Sequence, residues 1–516
     1  MKLIVFLWIL FYLLPVPAIS QFRVDPYLLP ADNGQLLISW FSELGEEGRL
    51  QYWNIIEKDT TVVFSRPQLL TELSYSELEE SERVDFPDMF VNENWKHQLY
   101  TESLSPGRKY SYVVIQGRDT FYSHFQAPPL PGQRKPIRIV ALADTETDPA
   151  GRTIFRKWEP GFQTDESSGR PEGVLNYLLT ESEGLQYNVH EVTEENPDLI
   201  LLPGDLVQGG GYQRAWDEFF FHFSGKFGHP ISTIPLLPAI GNWENYGGPN
   251  GGYNPLAVQK SRSKYSSYFT MPENNKSNYR NFYYRVDYGP VTIITLDSSN
   301  GLPDSTDFDT NININLSDYP GDDLPDINPG SDQWNWAIEQ LREARDLGQI
   351  IIVQFHHIPY SSGGHSLPLT AENSSGQAGI PMRVYTPEFK KYGVVAVICG
   401  HNESLEHSVV DGIHFWDVGI AGDGFGFSID DKDPRRENPY RQWVAHRDAR
   451  ELWEGEKLIS GGKHYGHLVI EIVPKENNGY KIEMIPRYIF PVTDKFGRVS
   501  STEVRTYDNI VEFETN

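Results

Sequence analysis

The sequence predicts a two-part chain of mixed α/β (α+β) class, a small all-β sandwich followed by a region of alternating strands and helices. Short β-branched or aromatic runs, separated by turns such as Asp32-Asn33-Gly34 and Ser105-Pro106-Gly107, fill residues 21–134. The stretch Pro128-Pro129-Leu130-Pro131-Gly132 reads as a stiff linker. Beyond it apolar runs alternate with amphipathic ones, the pattern of helices packed on a sheet. At 516 residues the chain exceeds what one hydrophobic core usually supports. A division into residues 21–134 and 135–516 is therefore expected.

Taken in order, residues 1–20 read as a secretory leader. Lys2 is the lone positive charge, Leu3 to Leu14 are apolar, and Pro15 and Pro17 precede the small Ala18 and Ser20. The expected location is secreted or periplasmic, with no membrane attachment after cleavage near Gln21. The sandwich draws on Leu36–Phe41, Leu50–Ile55, His97–Leu104, Lys109–Gln116 and Phe121–Gln126 as strands. In the larger part the clearest helices are Pro171–Leu179 and Gln333–Leu347, the latter with Trp334, Ile338 and Leu341 on one face. After His401 the strand-like runs Ile413–Val418, His467–Val473 and Tyr480–Ile485 point to a second sheet. Residues 300–332 read as a solvated Asp/Asn-rich loop, and Ile312 stands where an EF-hand would need Gly. Cys399 is the one cysteine, which excludes an intrachain disulfide.

Charge narrows the partners. Lys+Arg 44 against Asp+Glu 71 gives a net charge of -27, so a nucleic-acid polymer or an anionic membrane surface is repelled. A small anionic substrate must be attracted locally, by metal ions or a few cations.

Five metal-competent residues supply such a locus: Asp144, Asp205, Asn242, His356 and His401. Each ends an apolar run, in IRIVALADTE, PDLILLPGDLV, PLLPAIGNWE, IIIVQFHH and VVAVICGHNE. One polar residue after a strand is ordinary turn chemistry. Five in series suggest the loops of a two-metal hydrolase.

With these motifs the chain resembles the calcineurin-like metallophosphoesterases, and among them the purple acid phosphatases, over about residues 137–425. The stretches YYRVDYGPVTIITLDSS, DQWNWAIEQL and FHHIPYSSGGH extend the likeness. Leu104, Pro106 and Tyr110 make the preceding β part resemble a fibronectin type III-like domain. The resemblance implies a four-layer α/β/β/α sandwich and a secreted phosphatase or phosphodiesterase that uses a metal-bound hydroxide at a dinuclear centre. It implies that Asp205 bridges both metals, that Asn242, His356 and His401 complete the second site, and that Asp144 belongs to the first. This sequence departs from the family at Glu146, Glu403 and Trp243, each replacing a histidine. The first site becomes an all-oxygen shell of Asp144, Glu146, Asp205 and Glu403, suited to Mg²⁺, Mn²⁺, Ca²⁺ or Fe(III). The second keeps two imidazoles and suits Zn, Mn or Fe. Indole cannot deliver a proton, so His357, His365 and Glu244 are the candidate acids. His365 resembles a substrate-side histidine, and Trp243 stands in the substrate-contacting position. The alternative is a catalytically impaired relative that binds phosphate, a glycan or a protein.

Overall fold

The computed structural model describes residues 22–102, 104–157, 169–276, 279–299, 327, 329–363, 379–423, 438–445, 451–461, 464–476 and 478–515. The expected leader, His365 and most of the 300–332 loop lie outside the described residues.

Strands β1 (Phe22–Pro30), β2 (Leu36–Ser42), β3 (Gly48–Asn54), β4 (Thr60–Phe64), β5 (Gln68–Leu69), β6 (Trp95–Tyr100), β7 (Lys109–Gln116) and β8 (Asp119–Gln126) build the first part. Their sheets run β1-β2-β6-β5 and β4-β3-β7-β8. Burial in β3 alternates residue by residue, so Leu50 and Tyr52 face inward with Trp40, Tyr112 and Phe125. Between β5 and β6, helix α1 (Glu77–Ser81) opens on a capping box of Ser76 and Glu79. The other Glu79 oxygen accepts the Arg214 N–H, which ties this part to the larger one.

The larger part begins with β9 (Ile137–Ala141), β10 (Phe155–Lys157), β11 (Asn176–Thr180), α2 (Glu181–Glu194), β12 (Leu199–Pro203), α3 (Gln213–Phe223), β13 (Leu236–Ala239) and α4 (Pro255–Tyr268). It continues through β14 (Tyr284–Tyr288), β15 (Val291–Thr295), α5 (Asp332–Asp346), β16 (Ile350–His357), α6 (Thr386–Tyr392), β17 (Val394–Gly400), β18 (Leu405–Val410), β19 (Ile413–Val418) and β20 (Arg441–Val444). The small hairpin β21 (Leu452–Glu454) and β22 (Lys457–Ser460) precedes β23 (Gly466–Pro474), β24 (Tyr480–Thr493), β25 (Val499–Thr506) and β26 (Val511–Thr515).

Two mixed sheets stack face to face. One runs β13-β12-β9-β23-β24-β25, with β26 also on β24, and the other β14-β15-β16-β17-β19-β18-β20. β12 and β13 pack on β16, and β19 packs on β23. Outside them, α2 covers β23 and β24, while α5 covers β15 and β16 and α6 covers β17. This is the four-layer α/β/β/α arrangement. Strands buried on both faces read as continuous apolar runs, as β12 (LILLP) does.

Two local expectations are corrected. Residues 171–179 are not a helix. Gly173 sits at φ +86°, β11 pairs with β10, and Tyr177 and Leu179 are buried at a spacing of two. The helix starts later, where Thr180 and Glu183 form a capping box. The strands after His401 also do not form one sheet of their own. β18 and β19 complete one sheet, and β23 to β26 complete the other.

Candidate metal centre

All five motif residues stand at the same end of parallel strands. Asp144 follows β9, Asp205 follows β12, Asn242 follows β13, His356 lies at the end of β16 and His401 follows β17. Loops at the carboxyl ends of such strands are where open α/β sheets place ligands.

The glycine before three of these ligands has a steric cause. A Cβ on Gly204 would lie 2.6 Å from His356 Nδ1, one on Gly241 2.2 Å from Asp205 Oδ1, and one on Gly400 2.5 Å from Asp144 Oδ2. The Gly-Asp, Gly-Asn and Gly-His pairs therefore admit the next loop's ligand against bare backbone. Asp144, Asp205, His401 and Glu403 themselves adopt positive φ, at 53°, 51°, 82° and 44°. Backbone held in that region is costly for residues other than Gly and gathers at functional sites.

Ligand atoms of Asp205, His356 and His401 lie within 4.8 Å of one another, as do those of Asp144, Glu146 and Asp205. Asp205 is common to both clusters, and every one of these side chains is buried. Asn242 joins the first cluster, its Oδ1 2.8 Å from His356 Nε2 and 2.9 Å from His401 Nδ1. Asp144 accepts the His401 N–H on both oxygens at 3.1 Å.

The donor set fits metal. His356 Nδ1–H donates to the Pro203 carbonyl at 3.0 Å, which leaves a lone pair on Nε2. That lone pair faces Asn242 Oδ1 and, at 2.9 Å, Asp205 Oδ2. Three acceptors at such distances repel one another unless a cation lies among them. In the second cluster Glu146 Oε2 is buried with no hydrogen-bond partner among the described residues. Burial pushes the Asp144 and Glu146 carboxyls well above the ordinary range, and Asp205 and Glu403 push the same way. Buried like charges of this kind call for cations.

The other expected site residues divide. Glu403 is half-buried and raises both Asp144 and Glu146, but it does not join their cluster. Three of the four expected carboxylates, Asp144, Glu146 and Asp205, form the tight cluster, and Glu403 acts on it from beside. Glu244 turns inward, where its carboxylate accepts backbone N–H groups from Asp205, Leu206, Val207 and Gly241 at 2.7–3.3 Å. Burial, with Asp205 beside it, pushes its carboxyl up to about 8, against those amides. It braces two ligand loops. His357 is buried beside the cluster, with Nδ1 2.8 Å from Ser298 Oγ and its ring 5.0 Å from that of His356 and 4.5 Å from that of His401. The Trp243 N–H donates to Asp205 Oδ1 at 2.9 Å. Sequence reasoning missed Ser298 and Asp417. A Cβ on Gly419 would lie 2.2 Å from Asp144 Oδ2 and 3.1 Å from Asp417 Oδ1, so Asp417 stands behind a ligand. Its signal was a lone carboxylate inside the apolar strand IHFWDV.

Two buried groups of metal-competent side chains thus share Asp205, and a profile of the calcineurin-like phosphoesterases matches residues 137–402. The chain belongs to that family. Among solved structures it is similar to a purple acid phosphatase from yellow lupin, Lupinus luteus. The TM-score is 0.58 at 16% identity, over 93% of this chain and 73% of that one. Among curated proteins, an uncharacterised protein of Mycobacterium tuberculosis is 24% identical over 60% of this chain and 50% of its own length. A nucleotide pyrophosphatase/phosphodiesterase of Hordeum vulgare is 26% identical over 35% and 43%. A probable purple acid phosphatase of Arabidopsis thaliana is 24% identical over 48% and 49%. The chain spans about half the length of the curated relatives it matches. Among the described residues no helix is long and apolar enough to cross a membrane.

Proposed function

We propose that this protein is an exported, metal-dependent phosphoesterase acting on small phosphate esters at a dinuclear centre. The observation that carries the reading is the sharing of Asp205 between two buried ligand clusters. Two ions, when bound, supply Lewis acidity to phosphoryl oxygens and make water a stronger nucleophile. Asn242, His356 and His401 offer nitrogen and amide donors suited to Zn, Mn or Fe. Asp144 and Glu146 offer carboxylates suited to Mg, Mn, Ca or Fe(III). Asp205 orients toward both, held by the Trp243 amide, and Glu244 holds the loop that carries it. The His357 imidazole, seated on Ser298 and beside the His401 ring, is the candidate to hydrogen-bond a substrate oxygen. By its place in the sequence His365 is a further candidate for that role. The printed names of the barley and Arabidopsis relatives, all phosphoester hydrolases, support the reaction class.

The test is turnover. Protein purified without chelator is loaded with Mn²⁺, Zn²⁺ or iron and assayed on nitrophenyl mono- and diesters. Hydrolysis that depends on metal and drops at least a hundredfold in Asp205→Asn is expected. Metal bound without turnover of any ester would instead favour a binding role for phosphate, a glycan or a protein.

A further inference from the structure

The short turn that begins at Asn242 places four consecutive side chains. Asn242 reaches the ligand cluster, Glu244 reaches the backbone of the Asp205 loop, and Asn245 accepts from Arg262. All three are buried. Trp243 is only half-buried, so it is the member of this turn that projects toward solvent. Its backbone is hydrogen-bonded to the shared ligand Asp205 and its neighbour is Asn242, so the indole starts beside the metal cluster.

The indole is also braced. Tyr246 meets it edge to face, with ring centroids 5.2 Å apart, and Tyr253 backs Tyr246 at 5.0 Å. Tyr246 is itself partly buried, next to the glycine-rich loops of Gly209 and Gly252. A large, partly exposed aromatic surface packed on two tyrosines beside a cluster of metal-competent side chains loses little entropy when a second ring stacks on it.

We propose that Trp243, braced by Tyr246 and Tyr253, is a stacking platform that selects phosphate esters whose leaving group carries a flat aromatic ring. The proposal rests on the phosphoesterase reading for the word "leaving", but the platform is testable without turnover. The probes are benzylphosphonate and cyclohexylmethylphosphonate, which match in charge and reach and differ in the ring. Calorimetry on the metal-loaded full chain should show the benzyl compound binding about tenfold more tightly, within what one aromatic pair contributes. Trp243→Leu should abolish that preference while leaving the cyclohexylmethyl compound within about twofold of wild type. Trp243→Phe should restore most of it. Benzyl phosphate and cyclohexylmethyl phosphate, whose leaving alkoxides are similar, should show the same split in KM. Equal binding of the two phosphonates, no binding of either, or an equal loss for both in Trp243→Leu would overturn the proposal. Ring-selective binding without hydrolysis of either ester would uphold the platform and sink only the phosphoesterase reading.

Discussion

Replacing Gly204 with alanine is the sharpest probe of how the backbone admits the ligands. The new Cβ would stand 2.6 Å from His356 Nδ1 and 2.7 Å from Cβ and Cγ of the same side chain. Comfortable contact is about 3.5 Å, so the two groups must separate by about 0.8 Å. His356 has nowhere to retreat, since it is fully buried and bonded to Pro203, Asn242 and Asp205. Residue 204 also has φ +92°, which strains any Cβ-bearing residue. Strain at such a φ costs about 1–3 kcal/mol, and overpacking adds about 1–3 kcal/mol. A loss of about 2–6 kcal/mol follows. Metal–nitrogen bonds tolerate only about 0.2 Å, so metal content should fall with it. Urea denaturation and elemental analysis measure the two effects. Gly393→Ala is the control, since Gly393 has φ +79° but no atom within 4 Å of the added Cβ. It should lose about 1 kcal/mol and keep its metal. If Gly204→Ala matched that control in both stability and metal content, the close-approach argument would fail.

Three further outcomes are expected. Glu244→Gln replaces an acceptor of four backbone N–H groups with a side chain whose amide end is a donor, so stability should drop by about 3 kcal/mol. Metal affinity should weaken about 10–100-fold as the Asp205 loop loosens, as equilibrium titration would show. Chelation should lower the melting temperature, because ligand bound at a hundredfold excess over its Kd contributes about 2.7 kcal/mol; an unchanged melting temperature would argue that the clusters hold no ion. Burial depresses His467 to about 3, and the His467 imidazole donates to Asn188 inside the fold. A histidine with a depressed folded pKa contributes its full stability above the unfolded value near 6.5 and loses it as pH falls toward 3. Between pH 6.5 and 5 that loss is about 2 kcal/mol. His467→Gln should therefore flatten the acid limb of stability relative to wild type, measured as the difference between the two proteins at pH 7 and pH 5.

Much of the site was legible because its signals are local. Each ligand ends an apolar run, and three follow a glycine, so order and identity could be read along the chain. Other features were not legible, because they depend on what lies across space. Glu244 and Trp243 are adjacent in sequence, yet one is sealed inside by four amides and the other is half-exposed on tyrosines. Glu403 occupies a ligand's place in the motif, yet only Asp144, Glu146 and Asp205 stand within the tight cluster, a difference set by the loop after β17. Residues 171–179 look amphipathic, but pairing with β10 overrides that local preference.

Hydrophobic patterning and turn chemistry, both short-range, were enough to set most strand runs and the division into a sandwich and an α/β part, while the ordered motifs carried the resemblance to the family. Convergence was decided only in three dimensions. The His401 amide reaches Asp144 across 257 residues of chain because β9 and β17 lie in facing sheets whose strand ends meet. Distances of that kind follow from sheet register and from what each glycine lets approach, and neither is written in the residues nearby.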